Sequence, residues 1–333
     1  MTEAPLTRDF ELKLELLDAC NARCSFCHQG GRRGRTGALM TPETALRWLR
    51  WAVDNRIPCV RFSGGEPTLH PHLLDLAEAA CAAGLDVIVN TNGLVTTGML
   101  EAMAHTVQTL KISMPAAGVA RCDELVGVDG SLARKVETAR TALELGYDVE
   151  LLTALVPENI DHLEGFIELC ADLPGSCWVP LRLEPSPDVR RPISRSELQC
   201  LAEQVDKLRE RHPSLVPGIR LAAPFCAVDP IQLGARVFSG RAEDCGPFRS
   251  LTVDPHGQLV SCYSCRVPIE QTADFEAVLR DPEVMRLLST AKLPARCRSC
   301  IYVARCMGGC ACDFALVAHE GGLVDYLAVN DER

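Results

Sequence analysis

Between residues 10 and 184 the chain keeps alternating short strand-like runs with helical ones, and this restricts the fold more than any single residue does. In FELKLELL (10–17), Phe10, Leu12, Leu14 and Leu16 fall on one face and charges on the other, a period of two. CVRFS (59–63), DVIVN (86–90), TLKISM (109–114), DVELLTALV (148–156) and WVPLRLE (178–184) read as five further strands. TPETALRWLRWAVDN (41–55) starts a helix with Thr41 as cap and Pro42 in the first turn, and its Leu46, Leu49 and Val53 share a face. Further helices are predicted over 70–84, closed by Gly84, over 131–146, ending at Gly146, and over 161–173. Such alternation places parallel strands under covering helices. Six units predict an α/β fold, a partial (β/α)6 TIM-like barrel rather than a closed eight-fold one. Chemistry in such a fold gathers at the C-terminal ends of the strands.

Just past the first strand stands ACNARCSFCHQ (19–29), with Cys20, Cys24 and Cys27. Three readings compete: disulfide partners, three ligands of a zinc with His28 as the fourth, or three ligands of an iron–sulfur cluster left one ligand short. The N-terminus lacks the basic start and apolar run of a signal peptide, and no run of about 18 apolar residues predicts a membrane span. A cytoplasmic protein is expected, and there 18 cysteines read as metal ligands before disulfides. Seven are scattered singly (Cys59, Cys81, Cys122, Cys170, Cys177, Cys200 and Cys226) and read as small buried apolar side chains. The formal net charge of −10 argues against nucleic-acid binding and favours a cationic small-molecule substrate.

The spacing C-x3-C-x2-C, with Phe26 before the third cysteine, resembles the radical S-adenosylmethionine (SAM) superfamily. The resemblance implies a [4Fe–4S] cluster on Cys20, Cys24 and Cys27 whose open iron takes the amino and carboxylate groups of SAM. An electron from the cluster then yields a 5′-deoxyadenosyl radical. A flavodoxin or ferredoxin-type reductant is implied with it. SGGEP (63–67) resembles the family's methionine-binding loop: Gly64 and Gly65 permit close backbone approach, and Glu66 is expected to accept from the SAM ammonium. Asn92, in NTNG after the third strand, and Ser113, ending the fourth, match places where the family contacts SAM. Asn159, after the fifth, is a further candidate.

A second cysteine group, Cys245 and Cys262 followed by Cys297, Cys300, Cys306 and Cys310, resembles the SPASM extension, which holds auxiliary [4Fe–4S] clusters. Residues 250–262 read as a hairpin turning at Asp254-Pro255-His256-Gly257, which brings Cys245 and Cys262 to neighbouring positions. A zinc ribbon is the alternative. By the resemblance, Cys297, Cys300 and Cys306 ligate the outer cluster, and Cys245, Cys262 and Cys310 the inner one. Each lacks a fourth ligand. Where the family has a final cysteine well downstream, this chain has only Cys312, and the cysteine nearest before Cys245 is Cys226. One or two auxiliary clusters are therefore expected. The chain divides into a barrel (10–185), a helical connector (186–240) and this cysteine-rich extension (241–333).

Three chemistries fit: dehydrogenation of an alcohol, inversion of a stereocentre, or a cross-link in a peptide. No leader-binding winged-helix segment is expected before Phe10 or after Cys312. The acidic balance suits an amino sugar or aminocyclitol, so dehydrogenation or epimerisation in aminoglycoside-type antibiotic biosynthesis is the leading expectation. A peptide-maturing enzyme comes second, and a non-catalytic zinc or electron-transfer protein third. Cys265 is either a hydrogen donor to a substrate radical, a fourth cluster ligand or an inert thiol.

Overall fold

Two faces of one sheet explain most of the architecture. The computed structural model describes residues 10–27, 37–183, 193–217, 223–244, 246–262, 266–270, 272–311, 316–319 and 322–329. Its barrel region runs β1 (Glu11–Glu15), α1 (Pro42–Asp54), β2 (Cys59–Ser63), α2 (Leu73–Ala82), β3 (Asp86–Thr91), α3 (Thr97–Met103), β4 (Thr109–Ser113), α4 (Val119–Val126), α5 (Ser131–Glu144), β5 (Asp148–Leu155), α6 (Glu164–Ala171) and β6 (Ser176–Arg182). Each of the six strands pairs in parallel with the next. This is the expected partial barrel. The six strands stand where the sequence placed them, while α3 and α4 are additional.

Leu12 and Leu14 of β1, Val60 and Phe62 of β2, Val87 and Val89 of β3, and Leu110 and Ile112 of β4 alternate onto one face and are buried in the core. Each such burial stabilises by roughly 1.5–3 kcal/mol. The opposite face carries charge. Arg61 of β2 donates to Glu11 of the adjacent β1, and the Lys111 ammonium of β4 lies 3.0 Å from Glu150 of the adjacent β5 and 3.7 Å from Glu11, three strands away. Parallel sheets buried on both faces are ordinarily apolar throughout. Here the second face carries an ionic layer in which these four side chains meet opposite charges, because an isolated buried charge is costly.

One expected face is turned. On α1 the buried residues are Ala45, Trp48, Leu49 and Ala52, while Val53 is exposed. The indoles decide the rotation: Trp48 Nε1 donates to Gly257 O at 3.1 Å and Trp51 Nε1 to Thr272 O at 2.9 Å. Thr41 caps the helix as expected, accepting from Thr44 N at 3.2 Å.

After α7 (Arg195–Arg211), β7 (Ser250–Val253) and β8 (Leu259–Val260) form the expected hairpin. The Asp254 side chain accepts from His256 N and Gln258 N, and Gly257 takes φ 82°. β7 also pairs in parallel with β1, so the sheet order is β6-β5-β4-β3-β2-β1-β7-β8. The cysteine-rich region thus joins the barrel's own sheet.

A second joint lies at the far end. β9 (Leu316–His319) and β10 (Gly322–Asp325) pair antiparallel. Asp325, fully buried, accepts from Arg182 Nη1 at 2.5 Å and Nη2 at 3.1 Å. It also accepts from Cys310 N at 2.8 Å and Leu327 N at 3.0 Å. Asp325→Ala leaves the buried guanidinium without its carboxylate. Urea denaturation should show a loss of about 3–5 kcal/mol. The double variant Arg182→Met/Asp325→Leu should recover part of it.

Candidate active site at the C-terminal ends of the strands

The loop carrying Cys20, Cys24 and Cys27 leaves the end of β1 and is clamped on two sides by backbone. On one side Leu16 N donates to Ser63 O at 2.9 Å, Gly65 N to Leu17 O at 2.7 Å and Glu66 N to Ala19 O at 2.9 Å. This approach explains both glycines. A Cβ on Gly64, at φ +133°, would stand 2.4 Å from Leu17 O, and one on Gly65 would stand 2.0 Å from Ala19 O. On the other side Arg23 N and Ser25 N donate to Val126 O and Leu125 O, each at 2.9 Å. These are terminal carbonyls of α4, left open by the helix end. Gly127 closes the helix in the left-handed region at φ 68°, against Arg23.

Beneath this loop lies a buried polar network. The Glu66 carboxylate, wholly buried, accepts from Thr68 N at 3.2 Å, Thr68 Oγ1 at 2.7 Å, Thr91 Oγ1 at 2.8 Å and Asn92 N at 2.7 Å. Burial pushes its pKa up, against the bonds from Asn92, Thr68 and Thr91. Protein donors already engage both oxygens, so Glu66 joins the β2 turn to the β3 turn. Asn92 continues the path: its Nδ2 donates to Asn21 Oδ1 at 2.6 Å and to Cys20 Sγ at 3.5 Å, and its Oδ1 accepts from Leu94 N. Ala22 N also donates to Cys20 Sγ at 3.4 Å. Such N–H···S bonds tune cluster-bound sulfur.

Lys135, on α5, is the residue sequence reading missed. It is 1% exposed and its ammonium donates to the carbonyls of Asn92 and, at 2.9 Å, Ser113. Burial lowers its pKa, opposed by Cys122, Cys24, Glu66 and Cys20. The signal was present: Leu132, Lys135, Ala139 and Ala142 share the spacing of one buried helix face. Thr138 on the same face donates to Gly93 O at 2.8 Å.

Phe26 is half-buried beside the cysteines, and Ser113 ends β4 under Lys135. Asn159 is buried in the turn after β5. Its Nδ2 donates to Pro115 O and Ala154 O and its Oδ1 accepts from Val156 N, so it ties the β5–α6 turn together. Cys262 is half-buried at the end of the hairpin, and Arg266 beyond it donates to Glu15 at 2.9 Å. Cys306 and Cys310 are buried, Cys297 is half-buried and Cys300 exposed. His28, Cys245, Cys265 and Cys312 lie outside the described residues. Of the scattered cysteines, Cys59, Cys122 and Cys170 are buried as expected, but Cys200 and Cys226 are exposed.

Among the described residues no three His, Cys, Asp or Glu side chains close on one point as ligands of a single ion. Zinc holds its thiolates at about 2.3 Å. Cys20 Sγ accepts from Ala22 N and Asn92 Nδ2, the kind of N–H···S bond that a cluster-bound thiolate takes, so the donor set suits an iron–sulfur cluster.

Comparison with known proteins agrees with this geometry. Residues 14–170 match the family described as the radical SAM superfamily. PqqA peptide cyclase of Methylorubrum extorquens is 24% identical over 94% of this chain and 83% of its own. Streptococcus suis SuiB bound to S-adenosylmethionine shares the fold at TM-score 0.77 and 17% identity, over 96% of this chain and 77% of that one. Native anSMEcpe with bound AdoMet and the Kp18Cys peptide does so at TM-score 0.72 and 13% identity, over 96% and 93%. A further SuiB structure, at TM-score 0.73, holds the precursor peptide SuiA. These peptide-associated relatives overturn the expected small cationic substrate. Net charge is an average over the whole surface and does not report the charge of one chamber. Among the described residues no helix is long and apolar enough to cross a membrane.

The network makes a prediction. Glu66→Gln sets an amide donor against the backbone N–H of either Asn92 or Thr68. The SAM-free protein should lose about 1–3 kcal/mol on denaturant unfolding. Unchanged stability would return Glu66 to a purely ligand-binding role. The family match over residues 14–170, the fold and the placement of the cysteine loop together liken the chain to AdoMet-dependent enzymes of the radical SAM superfamily.

Proposed function

We propose that the chain is a peptide-maturing radical SAM enzyme. The observation that carries this is the extent of the likeness to PqqA peptide cyclase, which runs over 94% of the chain and so includes the cysteine-rich region. The enzyme uses the radical SAM mechanism, in which a 5′-deoxyadenosyl radical abstracts a hydrogen atom. The substrate we assign is a peptide rather than a sugar.

In this proposal Cys20, Cys24 and Cys27 hold the [4Fe–4S] cluster, which when bound supplies the electron that cleaves SAM. The chain's own residues prepare the place. Gly64 and Gly65 let the β2 turn lie against the cysteine loop, with backbone where side chains would stand. Asn92 orients Cys20 through its amide, and Glu66 and Lys135 hold Asn92 by its N–H and its carbonyl. Phe26 and Ser113 border the SAM site. The ionic layer of Glu11, Arg61, Lys111 and Glu150 shares the sheet face of Ser63 and Ser113 and lies, buried or half-buried, behind the strand ends that carry the site. Cys262 and Cys310, with Cys245, serve an inner auxiliary cluster, and Cys297, Cys300 and Cys306 an outer one. The division at 185 and 240 belongs to the same reading.

Replacing Cys20, Cys24 and Cys27 together with alanine should remove about four irons per chain and abolish 5′-deoxyadenosine formation with dithionite, while iron bound by the extension stays. Retained SAM cleavage would end the assignment of this loop. The substrate is tested with short precursor peptides encoded beside the gene. With perdeuterated peptide, deuterium should appear in 5′-deoxyadenosine and the peptide should become lighter by two hydrogen atoms. Turnover of a free amino sugar, with every peptide inert, would overturn the peptide reading.

A further inference from the structure

We propose that Cys226 is the fourth ligand of the outer auxiliary cluster, completing a set with Cys297, Cys300 and Cys306. The inference rests on the reading of those three cysteines as cluster ligands. Spacing alone pointed downstream for the missing ligand, toward Cys312. The structure offers one upstream instead.

The turn at residues 225–227 packs directly on the turn carrying Cys300 and Cys306. Phe225 N donates to Cys306 Sγ at 3.4 Å. The Phe225 ring meets the Tyr302 ring edge-on at 5.6 Å, and the Arg305 guanidinium lies 5.3 Å from it. Cys226, the next residue, has its thiol within electrostatic reach of both Cys306 and Cys297, which are in turn within reach of each other. Cys297 and Cys300 bracket one turn, with Cys300 N donating to Cys297 O at 3.1 Å. Thiols from two separate stretches of chain therefore lie near one another. As a residue Cys226 is exposed, so its position is not explained by core packing.

The carrier turn is also held from behind. Arg195, in the first turn of α7, donates through Nη2 to Cys226 O at 2.8 Å and through Nε to Ala227 O at 3.2 Å. Gly234 presses on the same turn, since a Cβ there would lie 2.3 Å from Phe225 O. Arg195 is thus a positioning residue for Cys226. A [4Fe–4S] cluster with no exchangeable site takes four protein ligands, and an electron-transfer role needs no open iron.

The test uses the full chain with Cys20, Cys24 and Cys27 replaced by alanine, reconstituted anaerobically, so that only extension iron is counted. Cys226→Ala and Cys226→Ser should each lose between about one iron, as a three-iron cluster forms, and about four, as the cluster leaves. The electron paramagnetic resonance spectrum should change with them. Iodoacetamide should spare Cys226 in the reconstituted parent and label it after iron is chelated, as read by peptide mass spectrometry. Unchanged iron, spectrum and labelling would overturn the inference. Cys300→Ala separates it from its premise. Iron loss there without loss in the Cys226 variants removes only the fourth ligand, whereas no loss in either removes the outer cluster itself.

Discussion

Everything at this site hangs on three backbone hydrogen bonds that fasten the β2 turn to the cysteine loop, from Leu16, Gly65 and Glu66 to Ser63, Leu17 and Ala19. They continue the β1–β2 ladder beyond the end of the strands, so the loop is built as an extension of the sheet rather than as a free excursion. The contact is close enough to exclude any side chain at Gly64 or Gly65. Because the α4 carbonyls hold the same loop from the other side, the three thiols are presented by a segment with little freedom to rearrange. A cluster that loads onto such a loop meets ligands already arranged, which reduces the ordering entropy that metal assembly costs.

The second consequence is a chain of buried polar groups that links four strand ends. Glu66 belongs to the β2 turn, Thr91 and Asn92 to β3, Ser113 to β4 and Cys20 to β1. Lys135 crosses from α5 to bind the carbonyls of two of them. Buried charges held by neutral hydrogen-bond partners contribute little net stability but lose much when a partner goes. The arrangement therefore favours one geometry over its neighbours more than it raises stability, which suits a site that must hold a sulfur and a ligand in fixed relation.

Much of this was legible in the sequence, and the remainder has identifiable causes. The period of two in FELKLELL and the short apolar runs after it placed all six strands, because sheet alternation is a local signal. The helices α3 and α4 escaped because each is short and α4 is bounded by Gly118 and Gly127, which read as loop. The glycines of SGGEP were read correctly as points of close approach, but what they approach is nonlocal. At Glu66 and Asn159 a motif records that a polar residue is present, not which groups of the chain also engage it, and in both neighbouring groups take part of the hydrogen-bonding capacity. Lys135 was passed over because lysine is mostly exposed, although its place in an apolar stripe marked it. Cys226 was noted as the cysteine nearest before Cys245 but read as a buried apolar residue, whereas the structure leaves it exposed.

The joints between barrel and extension bear on how the two sets of cysteines work together. β1 carries the first cysteine loop at its end and is flanked by β2 on one edge and β7 on the other. Glu15 at the end of that strand is paired with Arg266, four residues beyond Cys262. At the opposite margin of the barrel, Asp325 grips Arg182 of β6 and the backbone of Cys310 with the same carboxylate. The extension is thus fixed at the first and last strands of the barrel, and both fixings sit next to a candidate cluster ligand. Ladder hydrogen bonds and a buried ion pair hold the two sets of cysteines at a fixed separation more firmly than a flexible linker would. The acidic surface of the chain plays no part in this. The charges that matter are the buried ones, placed in pairs where the barrel and the extension meet.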